Sequence, residues 1–289
     1  MVEVQQVGDI RLGWGESLLW DEQRQRLYFV DCATWDLWWL DDGDVERPHS
    51  LRCPSMPTGV VATDDGRLVV TLDDGLHLLD PDGGRWDLLT AYPEGLGARA
   101  NDLCADLEGN LISGTLNLGP AEGSAWWYSV ADGWRLIDGD ISNFNGPAVS
   151  SLDGTMTLII GDSAASYFRY DYEPATGAVG PRRIFGDVSG LGGVPDGSAL
   201  DDDGGLWCAL CGGSQLVRFT VDGLDRTVTL DLPNPTDVAF GGPGLDRLYV
   251  VSIGSGEPDG PGLDGALLVI DGLGTGRAEP RFRNGATSG

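Results

Sequence analysis

The chain contains no lysine: all 18 basic residues among its 289 are arginine. Schiff-base catalysis, a lysine nucleophile or base, and the lysine-bearing phosphate loop of nucleotide hydrolases are thereby excluded. Histidine is nearly as scarce. With only His49 and His77 present, a three-histidine metal site cannot form. His77 lies in the apolar run GLHLLD and His49 in the polar turn RPHS, so both read as packing or surface residues rather than as a catalytic base. Cysteine comes in an odd number, five, and Cys32, Cys53, Cys104, Cys208 and Cys211 lie inside or beside apolar strand-like runs. That usage reads as buried, reduced thiols in a cytoplasmic protein, not as a disulfide frame. Cys208 and Cys211 form a C-x-x-C, but no second pair or nearby histidine completes a zinc site, and no βαβ context surrounds it. No stretch approaches the roughly 18 apolar residues of a membrane span. The opening MVEVQQVGDIRLGWGE lacks the basic start and apolar run of a secretion signal.

What the chain has in excess is acid. Its 45 Asp and Glu against 18 Arg leave a net charge of −27. Such a surface repels nucleic acid phosphates and anionic lipid headgroups, which removes both as partners. A chain of this length buries about three quarters of its unfolded surface, enough for one large β domain spanning residues 1–289.

Helical periodicity is almost absent. Short runs rich in Val, Leu, Trp, Tyr and Phe recur instead: RLYFVD, RLVVTL, NLISGTL, TLIIGD, GLWCAL and RLYVVS, each behind a Gly- or Asp-rich turn. With Arg26, Gly66, Gly109, Gly154, Gly204 and Asp246 as turn markers, the spacings are 40, 43, 45, 50 and 42 residues. A unit of 40 to 50 residues carrying four short strands is the signature of a β-propeller, and six units imply six four-stranded antiparallel blades. The chain left after the sixth marker suffices for the two termini to close one blade together. The Trp-rich stretches around Trp35, Trp38, Trp39, Trp126 and Trp127 then serve mostly as packing between blades.

Inner strands of a propeller converge on the central channel, so polar residues at their starts can meet at a common axis. Glu16, Asn101 with Asp102, Asn145 and Asp196 each precede an apolar strand by a similar interval, in units 1, 3, 4 and 5. Taken singly, Asn145-Gly146 and Asp196-Gly197 are ordinary turn dipeptides. Their recurrence at one place in successive repeats favours a shared site. A carboxylate in such an apolar setting costs several kcal/mol unless paired or metal-bound, and a donor set made only of oxygen suits a hard divalent cation.

The segments GWGESLLWDEQRQRLYFVD, RANDLCADLEGNLISGTL, NGPAVSSLDGTMTLIIGDS, PDGSALDDDGGLWCAL and PTDVAFGGPGLDRLYVVS resemble the SMP-30/gluconolactonase/luciferin-regenerating (regucalcin-like) family over essentially the whole chain. The resemblance implies a six-bladed propeller with one divalent metal at its centre, Ca²⁺ first and Mg²⁺, Mn²⁺, Zn²⁺ or Fe²⁺ as alternatives. Its ligands would be Glu16, Asn145 and Asp196. Arg99 and Asn101 would contact substrate, Asp102 would orient their loop, and Asp196 would be the general base, with a metal-activated water positioned by Asp196 as the competing version. The implied activity is metal-dependent opening of a sugar lactone by a monomer or weak homo-oligomer. Hydrolysis of another ester or a phosphotriester, and a non-catalytic calcium-binding propeller, are the alternatives. Two stretches depart from the family pattern: GESLLW lacks the Pro common after GE, and GTLNLGPAEG lacks the acidic residue usual soon after GT-M.

Overall fold

The computed structural model describes residues 2–285 except 45–46, 94–98, 117–122, 153, 165 and 256–261. β1 (Glu3–Arg11) precedes blade 1, which consists of β2 (Gly15–Asp21), β3 (Arg26–Asp31), β4 (Asp36–Asp41) and β5 (His49–Arg52). Blade 2 is β6 (Gly59–Ala62), β7 (Leu68–Leu72), β8 (Gly75–Asp80) and β9 (Arg85–Ala91). Blade 3 is β10 (Arg99–Ala105), β11 (Leu111–Leu116), β12 (Ala125–Ser129) and β13 (Gly133–Asp138). Blade 4 is β14 (Phe144–Leu152), β15 (Thr155–Asp162) and β16 (Tyr167–Glu173), its outer position shared by β17 (Ala178–Val179) and β18 (Arg183–Gly186). Blade 5 is β19 (Val194–Leu200), β20 (Leu206–Cys211), β21 (Gln215–Thr220) and β22 (Gly223–Thr229). Blade 6 is β23 (Pro235–Gly241), β24 (Arg247–Ser252) and β25 (Ala266–Asp271), completed by β1, which pairs antiparallel with β25. The six-bladed propeller expected from the repeat is therefore present, and the N-terminal strand closes the ring.

The repeat markers fall in the turn between the innermost strand and the second strand of each blade. Gly66, Gly109, Gly154 and Gly204 hold left-handed backbone there, with φ from +75° to +85°. In blades 1 and 6 the residue just before the marker, Gln25 or Leu245, is left-handed instead, and the blade 6 turn also has left-handed Gly242 at its start.

Strands in the blades are apolar on both faces because each sheet packs against two neighbours. Leu158 and Ile160 of β15 point into a cluster with Ile112 and Trp127 of blade 3, while Ile159 between them points at Leu206, Cys208 and Val217 of blade 5. Period-two alternation thus sorts residues between two interfaces rather than between core and water. Six such clusters, one per pair of adjacent blades, carry the core.

Trp127 fills one of these interfaces, and Trp38 and Trp39 lie half-buried against two others. Trp35 does not: it sits in the β3–β4 turn at φ +61° and is 41% exposed. All five cysteines are free, and Cys211 at the end of β20 is only partly buried. His49 stacks on Trp39 at the outer edge, and His77 hydrogen-bonds the exposed Asp74. Among the described residues no helix is long and apolar enough to cross a membrane.

Candidate functional site

Innermost strands β2, β10, β14, β19 and β23 share a feature that β6 lacks. Each carries a β-bulge near its start: between Glu16 and Leu19, Asn101 and Leu103, Asn145 and Ala148, Pro195 and Ser198, and Pro235 and Asp237. A bulge inserts a residue, bends the strand and re-aims the local side chains. Here Glu16, Asn101, Asn145 and Asp196 stand at or inside these bulges, and all four are buried. Blade 2, whose β6–β7 ladder runs without a shift, offers Thr58 at this level, and that hydroxyl bonds Thr71 and the Ala100 carbonyl instead. Ser17, Asp102 and Gly146, all in bulges, adopt positive φ of 52°, 30° and 46°, a conformation costing about 1–3 kcal/mol at a non-glycine residue.

Hydrogen bonds tie the bulges to one another around the ring. Val60 N donates to Ser17 Oγ (2.8 Å), Thr58 Oγ1 to Ala100 O (3.0 Å), Gly146 N to Asp102 Oδ2 (2.7 Å) and Ser198 Oγ to Gly146 O (2.8 Å). Leu18 N closes the circuit on Asp237 Oδ2 at 2.6 Å. Between blades 5 and 6 the link is a close packing: a Cβ added to Gly197 would land on Asp237 Oδ1, far inside contact distance. Gly197→Ala is therefore expected to destabilise the protein by about 1–3 kcal/mol through overpacking, seen as a lowered Tm. Gly139→Ala, whose Cβ would meet only Leu136 at 3.8 Å, should leave Tm unchanged, and equal shifts in the two variants would refute the close packing.

The expected site residues come together, Asn101 and Asn145 through a hydrogen bond and Glu16 and Asp196 through their charges. Asn101 Nδ2 donates to Asn145 Oδ1 (2.6 Å) and Phe144 O (3.0 Å), which leaves its carbonyl oxygen as an acceptor. Asn145 Nδ2 donates to Ser163 Oγ (2.6 Å) and Pro195 O (3.4 Å), reaching the strand of Asp196. Trp14 Nε1 donates to Glu16 Oε1 at 2.7 Å. Arg99 lies over the Trp14 ring, its Cζ 4.8 Å from the centroid, and its Nη1 touches Met56 Sδ. Its Nε and Nη2 are buried without a partner among the described residues. Glu16 and Asp196 are 6% and 7% exposed.

Two backbone clamps hold the loops that lead into this mouth. Asp31 at the end of β3 accepts hydrogen bonds from Gly13 N, Trp14 N and Ala33 N at 2.9–3.0 Å. Asp162 at the end of β15 accepts them from Ser142 N, Asn143 N and Ala164 N at 3.1–3.2 Å. The two are equivalent, and each fixes the segment just ahead of a candidate ligand, Glu16 or Asn145.

Electrostatically the channel is a well of buried acid. Burial raises the Glu16 carboxyl to about 8, and the charge of Asp102 adds to it. Burial likewise lifts Asp102 to about 6. Asp196 and Asp237 are pushed well above the ordinary carboxylate range, first by burial and then by the carboxylates around them. Asp237 was not among the residues expected from the sequence. It lies nine residues ahead of the Asp246 turn marker, the same interval as from Asn145 to Gly154 and one less than from Glu16 to Arg26, so the signal was there.

Among the described residues no three His, Cys, Asp or Glu side chains form a metal site by themselves. The candidate set is two carboxylates and an amide, Glu16, Asp196 and Asn145. It fits a hard divalent cation: every donor is oxygen, and the desolvated carboxylates press on one another with no paired cation beyond Arg99 nearby. A cavity of about 220 Å³ is lined by Asp102, Asp237 and Glu279 together with the bulge residues Ser17 and Gly146. Of the two departures from the family pattern, GESLLW forms the blade 1 bulge, whereas the divergent residues 117–122 lie outside the described residues.

The family model described as SMP-30/gluconolactonase/LRE-like region matches residues 14–254. The chain belongs to this family. Pentonolactonase XacC of Haloferax volcanii is 30% identical to it over 97% of this chain and 98% of its own. The solved structure of a luciferin-regenerating enzyme superposes with a TM-score of 0.89 at 26% identity, covering 98% of this chain and all of the other. That of regucalcin, a calcium-binding protein from Agrobacterium tumefaciens, gives 0.88 at 25% identity and covers 97% of both chains. The five bulges and the Asp162 clamp lie within the matched family region, and the Asp31 clamp reaches one residue beyond it, to Gly13.

Proposed function

We propose that the protein is a sugar lactonase that hydrolyses its substrate at the channel mouth with a bound divalent cation, Ca²⁺ first among the candidates. The reading is carried by Glu16, Asn145 and Asp196, each at a bulge in a different blade, beside Arg99, whose Nε and Nη2 meet no acceptor among the described residues. Its membership of the SMP-30/gluconolactonase family and its full-length similarity to a pentonolactonase support the substrate class.

Glu16, Asn145 and Asp196 would hold the cation, which when bound supplies a Lewis acid that polarises the lactone carbonyl and stabilises the oxyanion. Asp196, ionised once a cation offsets the neighbouring carboxylates, would take the proton of the attacking water on a carboxylate oxygen and return it to the ring oxygen that leaves. Asn101 presents its carbonyl to a sugar hydroxyl. Arg99, held over the Trp14 ring, offers Nε and Nη2 as a fork to hydroxyl or carboxylate oxygens of the substrate. Those donors meet no acceptor among the described residues, and a bound substrate would satisfy them.

A pH-indicator assay on metal-stripped protein, with a panel of five- and six-membered sugar lactones, simple esters and phosphotriesters, tests the reading. Turnover restored by one cation on lactones supports it. Restoration only on phosphotriesters or other esters moves the substrate class, and metal-induced stabilisation without any turnover leaves a binding propeller. In the same assay Arg99→Ala is expected to raise KM by about 10- to 100-fold, the worth of one or two charge-assisted hydrogen bonds, with kcat little changed. A fall in kcat at unchanged KM would remove Arg99 from substrate binding.

A further inference from the structure

Blades 1 and 4 hold their candidate ligands through an aspartate at the end of the second strand, Asp31 opposite Gly15 and Asp162 opposite Phe144. In blade 5 that register position, opposite Val194, is Cys211, which has no carboxylate with which to gather backbone amides. The strand that carries Asp196 is anchored differently. Tyr167, the first residue of β16 in the neighbouring blade, is wholly buried and reaches across the interface. Its hydroxyl accepts a hydrogen bond from Asp196 N (3.1 Å) and donates one to Asp196 O (2.7 Å).

One hydroxyl thus satisfies both backbone groups of a single residue, and that residue sits inside the bulge between Pro195 and Ser198, where the β19–β20 ladder gives it no strand partner. A buried peptide group without a partner is costly, so a bulge at this point depends on an outside donor and acceptor. The approach is made possible by Gly161, paired with Tyr167 across β15 and β16. A Cβ there would come within 2.9 Å of Tyr167 Cε1 and of Asn145 O. The far side of the ring packs against Phe219, with centroids 6.2 Å apart. Ring position, hydroxyl position and the backbone of Asp196 are therefore fixed together.

We infer that Tyr167 is the positioning residue of Asp196, setting the bulge geometry that aims its carboxylate at the channel and so setting the affinity of the site for a divalent cation. The inference rests on the reading of Asp196 as a ligand, and its test separates the two.

Tyr167→Phe removes the hydroxyl and keeps the ring. Tyr170→Phe, in the same strand, removes a hydroxyl that donates to Asp138 (2.8 Å) on the outer part of the blade and serves as the control for losing a largely buried tyrosine hydroxyl. Each variant, the wild type and Asp196→Asn are stripped of metal and titrated with Ca²⁺ by calorimetry, and the unfolding transition of each metal-free protein reports whether it is folded. Tyr167→Phe is expected to raise the Ca²⁺ Kd by tenfold or more, with Tyr170→Phe within twofold of wild type although both lower Tm. Unchanged Kd in Tyr167→Phe, with Asp196→Asn clearly weakened, would make Tyr167 a packing residue and overturn the inference alone. Unchanged Kd in Asp196→Asn would overturn the ligand reading on which it stands. Should Tyr167→Phe give no cooperative unfolding transition, Phe219→Leu supplies the second test. It removes the ring packed against Tyr167 without adding charge near Asp196, and is expected to raise the Ca²⁺ Kd by threefold or more; an unchanged Kd in a folded Phe219→Leu would show that the placement of Tyr167 does not set the site.

Discussion

Asp196→Asn is expected to lower kcat on the best lactone by at least about 1000-fold, the upper part of the range for loss of a general base, and to weaken the bound cation as well. The substitution is isosteric, so the backbone bonds from Asp196 N and O to Tyr167 persist. The fold survives it. In the metal-free protein it is even stabilising near pH 8, because an amide replaces a carboxylate whose charge is opposed by burial, Glu16, Asp102 and Asp237. Glu16→Gln distinguishes the two roles assigned to Asp196. Glu16 would be a ligand only, so raising the cation concentration should restore most of the kcat in Glu16→Gln and little of it in Asp196→Asn. Turnover in Asp196→Asn within tenfold of wild type, with metal bound, would end the assignment of Asp196 as base.

Much of this was legible in the sequence, for reasons that the structure makes plain. The repeat could be counted because four of the six turns between inner and second strands need a left-handed residue and use glycine there. Strand identity was legible because both faces of each blade are buried, which writes runs such as TLII and WCAL rather than alternation. The positions of Glu16, Asn101, Asn145 and Asp196 followed from their similar offsets, eight to ten residues ahead of those turn markers. The family resemblance supplied the roles.

Three things were not legible. The bulges are events of register, and nothing in composition announces that one residue has been inserted opposite β3, β11, β15, β20 or β24. Their effect on direction is what makes a strand residue point along the channel. The partners across blades come from far along the chain, as with Leu18 N and Asp237 Oδ2, 219 residues apart, and Tyr167 with Asp196. The third is the use of the acid. Part of the excess looks like solvated surface in the sequence, but Asp21, Asp31, Asp106, Asp162 and Asp201 are buried and receive hydrogen bonds from turn amides. They are fasteners of turns. Asp237, nine residues ahead of Asp246 in PTDVAFG, falls within the same range of offsets and was legible on the same ground.

The buried acids also dictate how stability must vary with pH. Glu16 titrates near 8 in the folded metal-free protein against an ordinary 4.5, and Asp102 near 6 against 3.8. Between the ordinary and the raised values the folded state keeps protons that the unfolded chain has released. Stability therefore falls as pH rises, by about 1.4 kcal/mol per pH unit for each proton retained. The full contribution is present below about pH 4 and is lost progressively up to about pH 8, so the Tm of the metal-free protein is expected to decline from pH 5 to pH 8. Asp65, held low by Arg67, Thr63 and Asn284, acts in the opposite sense but only as the pH falls below the ordinary range, outside this window. A saturating divalent cation replaces those protons, which flattens the decline, and its apparent Kd should tighten with rising pH by up to about tenfold per unit for each proton displaced. Calorimetric titration in two buffers of different ionisation enthalpy counts the protons released. A metal-free Tm that is level or rising from pH 5 to pH 8, with no proton release on adding cation, would mean that Glu16 and its neighbours are not the shared charge cluster into which the cation is proposed to bind.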